Sequence, residues 1–176
     1  KRSLNENSRK FGNDITNIKN KVQDPKFSDY IELSLSDSLK TLKENVRANA
    51  QTKSNKRIDN QITTGTYVHT PAGAKRIDEN FGLPENYFLD GFHNKQNENF
   101  KIINAAISKG QIPASLINGF KKVISGTASE PQAQQMMGLY KKFSQQIRGG
   151  VMVNTLLPAL KKNEAAILES VSELYQ

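Results

Sequence analysis

Residues 99–148 read NFKIINAAISKGQIPASLINGFKKVISGTASEPQAQQMMGLYKKFSQQIR, and this stretch decides the fold. Phe100, Ile102, Ile103, Ala106 and Ile107 recur at helical spacing until Gly110, a residue that tolerates the left-handed backbone of a helix end. Pro113 suits the first turn of a second helix, because its missing N–H would be unpaired there anyway. That helix carries Leu116, Ile117, Phe120, Val123 and Ile124 up to Gly126. Ser129-Glu130-Pro131-Gln132 then matches a capping box, in which the serine hydroxyl and the glutamine side chain each satisfy a free backbone N–H. The third helix runs through Ala133, Met136, Met137, Tyr140, Phe143 and Ile147 to about Arg148, where Gly149-Gly150 breaks it.

Downstream, Leu156, Leu157, Leu160, Ile167, Leu168, Val171 and Leu174 predict a last helical segment, with Pro158 as a kink or a helix start. Short connections favour antiparallel neighbours. No alternation at period two occurs, so the expected class is all-α: an elongated helical N-terminal arm followed by a compact bundle of about four short helices. The expected divisions are a basic helical arm at 1–57, a linker and aromatic-rich irregular segment at 58–94, and the bundle at 95–176.

The arm has a different pattern. Leu4, Phe11, Ile15, Ile18 and Val22 step by 7, 4, 3 and 4, a narrow stripe on a polar helix. After the break at Asp24-Pro25, Leu35, Leu39, Leu42 and Val46 step by 4, 3 and 4 within a segment from about Ser28 to Ala50. One narrow seam suits a coiled-coil contact better than a globular core. Residues 51–66 read as a linker or a weak helical extension. Residues 67–92 read as an irregular packed loop with short helical turns and turn signals at Thr70-Pro71-Ala72-Gly73 and Phe81-Gly82-Leu83-Pro84. Within it Phe81, Tyr87, Phe88 and Phe92 admit two readings, anchors in a partner's pocket or a cap on the chain's own bundle.

Composition excludes several kinds of chemistry. There is no cysteine among the 176 residues, hence no disulfide, thiolate nucleophile or cysteine zinc site. His69 and His93 are the two histidines, and no HExxH spacing occurs. No Walker A loop, GxSxG elbow or Rossmann fingerprint is present. Asp78-Glu79, Glu85 and Asp90 read as surface acids or helix caps rather than a catalytic pair. The chain is therefore expected to be non-enzymatic and without cofactor, metal or small-molecule substrate. No apolar run approaches the roughly 18 residues of a membrane span, and no secretory h-region opens the sequence.

The net charge is +8. Residues 1–57 contribute 13 Lys/Arg against 7 Asp/Glu, whereas residues 58–176 contribute 12 against 10. Lys1, Arg2, Arg9, Lys10, Lys19, Lys21, Lys53, Lys56 and Arg57 are candidates for non-specific phosphate contacts, against the simpler reading of a solvated or acid-binding helix face. No base-reading motif accompanies them. Lys1 at the start and an unterminated helix at Gln176 predict a piece of a longer polypeptide.

From Asn104 to Gln176, Ala105-Ala106-Ile107, Gly110, Ile112-Pro113, Leu116-Ile117, Gly126, Ala133-Gln134-Gln135-Met136 and the Tyr140/Phe143 pair follow one another. This run resembles helical repeats within very large virion proteins of tailed bacteriophages, notably internal or ejection proteins packed near the portal. The resemblance implies helical packing against other virion proteins or further copies, a place in the virion interior (otherwise the cytoplasm), and release with the genome. Some relatives carry a murein-cleaving domain elsewhere; nothing in this segment matches one. The other readings are a nucleic-acid-binding accessory module and a scaffold or regulatory domain of a larger enzyme.

Overall fold

The computed structural model describes residues 4–21, 25–91, 98–145 and 150–175. Among these residues every regular element is helical, in agreement with the all-α expectation of an arm followed by a bundle. Contacts divide the chain into two units, residues 1–56 and 57–176.

In the first unit, α1 spans Leu4–Lys21. Helix α2 spans Pro25–Thr64, 40 residues, or about 60 Å at roughly 1.5 Å per residue. Of the two readings of residues 51–66, the helical one applies up to Thr64. An i, i+4 amide pair supports this polar stretch, with Gln51 Nε2 donating to Asn55 Oδ1 at 2.8 Å, and the Thr52, Thr63 and Thr64 hydroxyls donate to carbonyls four residues back. Val22 and Asp24 lie outside the described residues.

In the second unit, residues 71–81 form a full helix, α3 (Pro71–Phe81), rather than short helical turns within an irregular loop. Thr70 is its N-cap, accepting from the Gly73 N–H at 3.0 Å, and Pro71 occupies the first turn. Gly73 belongs inside the helix because a Cβ there would lie 2.5 Å from the Tyr67 hydroxyl. Gly82, at φ 62°, ends the helix: its own N–H bonds Glu79 O and the Leu83 N–H bonds Asp78 O. Residues 85–91 then run as turns.

The remaining elements are α4 (Glu98–Ser108), α5 (Ala114–Ile124), α6 (Glu130–Ser144), a π-helical turn at Met152–Leu156, the one-turn α7 (Leu157–Ala159) and α8 (Lys162–Leu174). Gly110 and Gly126 close α4 and α5 as expected, with φ 79° and 72°. The capping box is present, with Ser129 N donating to Gln132 Oε1 at 3.0 Å and Gln132 N to Ser129 Oγ at 3.4 Å. Pro113 is the residue before the first helical one, at φ −65° and ψ 148°. Helix α6 stops at Ser144, and 146–149 lie outside the described residues. Pro158 sits just after the π turn, where Leu157 N–H reaches five residues back to Met152 O and the next residue has no N–H to offer.

Helix α5 is the hub: it packs against α3, α6 and α8, while the π turn packs against α6 and α7. Phe88, Ile107, Leu116, Phe120, Met136, Phe143, Met152, Leu156 and Leu168 are fully buried in one cluster. The compact part thus begins at Arg57 rather than at 95, because α3 and the 85–91 turns supply core residues Ala74, Tyr87, Phe88 and Leu89.

Two polar links fix α3. Arg76 holds the Asp59 carboxylate through both oxygens, Nε–Oδ1 3.0 Å and Nη2–Oδ2 2.7 Å, and bonds Glu79 at 3.2 Å. Those bonds hold the Asp59 carboxyl below its ordinary range. Asp78 reaches α5, accepting from Ser115 N at 2.9 Å and Ser115 Oγ at 2.6 Å. Pro113 has no side-chain group with which to cap α5, so Asp78 does it from another helix. Its desolvation outweighs these bonds and raises its pKa.

Candidate partner-binding surface

A surface that binds a partner must first be left uncovered by its own chain, and the two units differ on this point. Among the described side chains of residues 6–56, no apolar one is buried; Ser28 is the sole buried residue. On α2, Ile31, Leu35, Leu39, Leu42 and Val46 fall within an arc of about 80° at roughly 100° per residue. The first three are half-buried, while Leu42 and Val46 are 44% and 41% exposed. On α1, Phe11 and Ile15 are half-buried. The Leu4 and Ile18 side chains and all of Val22 lie outside the described set.

A second apolar face lies elsewhere on α2. Phe27, Tyr30 and Leu33 are 53–68% exposed and step by 3, which places them about 140° around α2 from the stripe. The signal was available as an i, i+3, i+6 triplet, but it has the wrong period to join the 4-3-4 seam.

Charge is concentrated next to the exposed end of the stripe. Lys40, Lys43, Arg47, Lys53, Lys56 and Arg57 face a single acid, Glu44, over that part of α2. Lys53, Lys56 and Arg57 are exposed, as are Arg9 and Lys10 on α1; Lys1 and Arg2 lie outside the described residues, and so do the side chains of Lys19 and Lys21.

The aromatic segment resolves differently. Tyr87 and Phe88 are buried in the chain's own core, with rings edge to face at 5.1 Å. Phe81 packs half-buried against the same cluster, and Phe92 lies outside the described residues. Tyr87 and Phe88 thus occupy the place of a cap on the bundle and have no surface to give a partner pocket. The reason is α3, whose packing on α5 draws the following turns inward.

Among the described residues no group of three or more His, Asp or Glu side chains could hold a metal ion, and no helix is long and apolar enough to cross a membrane. Comparison with family models, with curated proteins and with solved structures finds no match.

Proposed function

We propose that this chain is a non-catalytic assembly component, a helical segment of a large internal virion protein of a tailed bacteriophage. In this reading residues 57–176 are the self-supporting part and residues 1–56 are the part that engages a neighbour. The observation that carries it is the uncovered stripe on α2, ending in Leu42 and Val46, in a unit with no buried apolar side chain among its described residues. Helices with one apolar seam gain most of their stability from what they pack against. Lys43 beside the stripe, and Lys53 and Lys56, which continue its line along α2, select the occupant: an amphipathic helix of another subunit with acidic residues beside its apolar face.

Hydrogen exchange on the intact chain tests this. Amides of residues 4–56 are expected to exchange fast in the isolated protein, while those of α5 and α6 stay protected, and the arm gains protection in the assembly. Equal protection of both units in the monomer would overturn the reading.

Exposed Arg9, Lys10, Lys53, Lys56 and Arg57 favour a second reading, in which the arm tracks nucleic-acid phosphates. A steep loss of DNA affinity with added salt supports it; absence of binding at low salt removes it.

A further inference from the structure

The apolar stripe of α2 and the charges in line with it share one heptad frame. Leu35, Leu39, Leu42 and Val46 step by 4, 3 and 4, and the same alternation runs back to Glu32 and Ser28 and forward to Asn49, Lys53 and Lys56. Lys53 follows Leu35 by 18 residues, five full turns at roughly 3.6 residues per turn, so it falls on the same line of the helix. The seam therefore starts with a carboxylate, continues through four apolar side chains and ends in two ammonium groups. Asn49, Lys53 and Lys56 are exposed, as are Leu42 and Val46, and Glu32 is half-buried.

That order of groups discriminates between the helices that could cover it. A parallel copy of α2 in register would set Glu32 against Glu32, Lys53 against Lys53 and Lys56 against Lys56, like charges at seam positions. An antiparallel copy reverses the order. With the two-fold axis between residues 40 and 41, Leu35 meets Val46 of the second copy and Leu39 meets its Leu42, so every apolar position of the frame faces another. A shift by one heptad in either direction would leave half of them against polar residues. In the favoured register Glu32 meets Asn49, whose amide donates to a carboxylate. Lys53 falls opposite Ser28, which is already buried, and within one turn of Glu32.

We propose that a second copy of this chain covers the stripe, the two α2 helices packing antiparallel over residues 32–49. This rests on the reading of α2 as the element that engages a neighbour, and it names that neighbour: the acid-bearing amphipathic helix the stripe calls for is α2 itself. Four apolar layers make a small interface, so the dimer is expected to dissociate with a Kd on the order of 10–100 μM.

The test is sedimentation equilibrium of the intact chain from about 5 μM to about 1 mM, where a monomer–dimer equilibrium is expected. Leu42→Ser with Val46→Ser should weaken it about ten-fold or more. Glu32→Lys or Lys53→Glu alone should weaken it about ten-fold, and the two together should restore it, because exchanging both charges keeps the facing pairs opposite in sign. Helix direction is read separately. The chain has no cysteine, so Thr52→Cys takes a single spin label. Two such labels lie about 35 Å apart in the antiparallel dimer and about 10 Å apart in a parallel one. A short label distance, charge reversals without effect, or association unchanged by the Leu42/Val46 pair would overturn the proposal. A chain that stays monomeric at the highest concentration, yet gains protection of its arm in the assembly, overturns this proposal alone and assigns the stripe to a different subunit. Equal protection of both units in the dilute monomer overturns the underlying reading as well.

Discussion

Residues 57–176 bury Phe88, Phe120 and Phe143 completely, whereas residues 6–56 bury no apolar side chain among those described. The difference does not come from helix formation, since α2, most of which lies in residues 25–56, is the longest helix among the described residues. It comes from the number of directions in which a helix finds neighbours. Helix α5 is covered by α3, α6 and α8, so almost every one of its apolar positions is shielded. The α2 stripe has no such layers around it among the described residues, and Leu42 and Val46 stay 44% and 41% exposed. The lesson is that helicity and self-sufficiency are separate properties, and the second requires layers.

The largest expected effect sets the two units furthest apart. Phe120, fully buried with its ring edge to face against Tyr140 at 6.1 Å, should cost about 3–5 kcal/mol as Phe120→Ala in urea unfolding of the intact chain. Leu42→Ser with Val46→Ser, in contrast, should change the same curve by no more than about 0.5 kcal/mol per site. A loss of several kcal/mol from the α2 pair would show that the arm has a core of its own.

Next come substitutions that probe how the second unit is tied together. Asp78→Ala leaves the Ser115 N–H without its acceptor and should cost about 1–3 kcal/mol, with Asp78→Asn retaining much of the stability because its carbonyl still accepts. Gly150→Ala should cost about 1–3 kcal/mol in the same measurement. At φ 59° its Cβ would lie 2.7 Å from Phe143 O and 2.9 Å from Ser144 O, backbone atoms that cannot swing aside.

The smallest effect is a pH slope. Burial depresses the His69 pKa below 6.5, so its contribution is present above 6.5 and lost as pH falls through the folded-state value. Thermal melts below pH 6.5 should shift down, and His69→Gln should flatten that part of the profile. An unchanged slope would mean that His69 is as well solvated as in the unfolded chain.

Local signals were legible and distant ones were not. Gly110, Gly126 and the Ser129/Gln132 box announce themselves because each acts within a few residues. Pro71 and Gly73 misled, since both break helices in general. They are right here because Pro71 sits in the first turn and Gly73 lies against the Tyr67 ring, a contact no spacing reveals. Residues 51–64 are helical without an apolar face, so periodicity is blind to them. On the candidate surface, the 4-3-4 stripe was readable, but the exposure of Phe27, Tyr30 and Leu33 depends on what else covers α2.

The bond between Asp78 and Ser115 spans 37 positions of sequence, and it also has a kinetic side. During refolding the start of α5 stays frayed until the intervening chain has closed, an entropic delay that local turns do not impose. Pulse-labelling should therefore show the first amides of α5 becoming slow to exchange together with those of α3, later than the amides behind the Ser129 box. A proline that cannot terminate its own helix has in this way made the nucleation of one segment wait for the arrival of another.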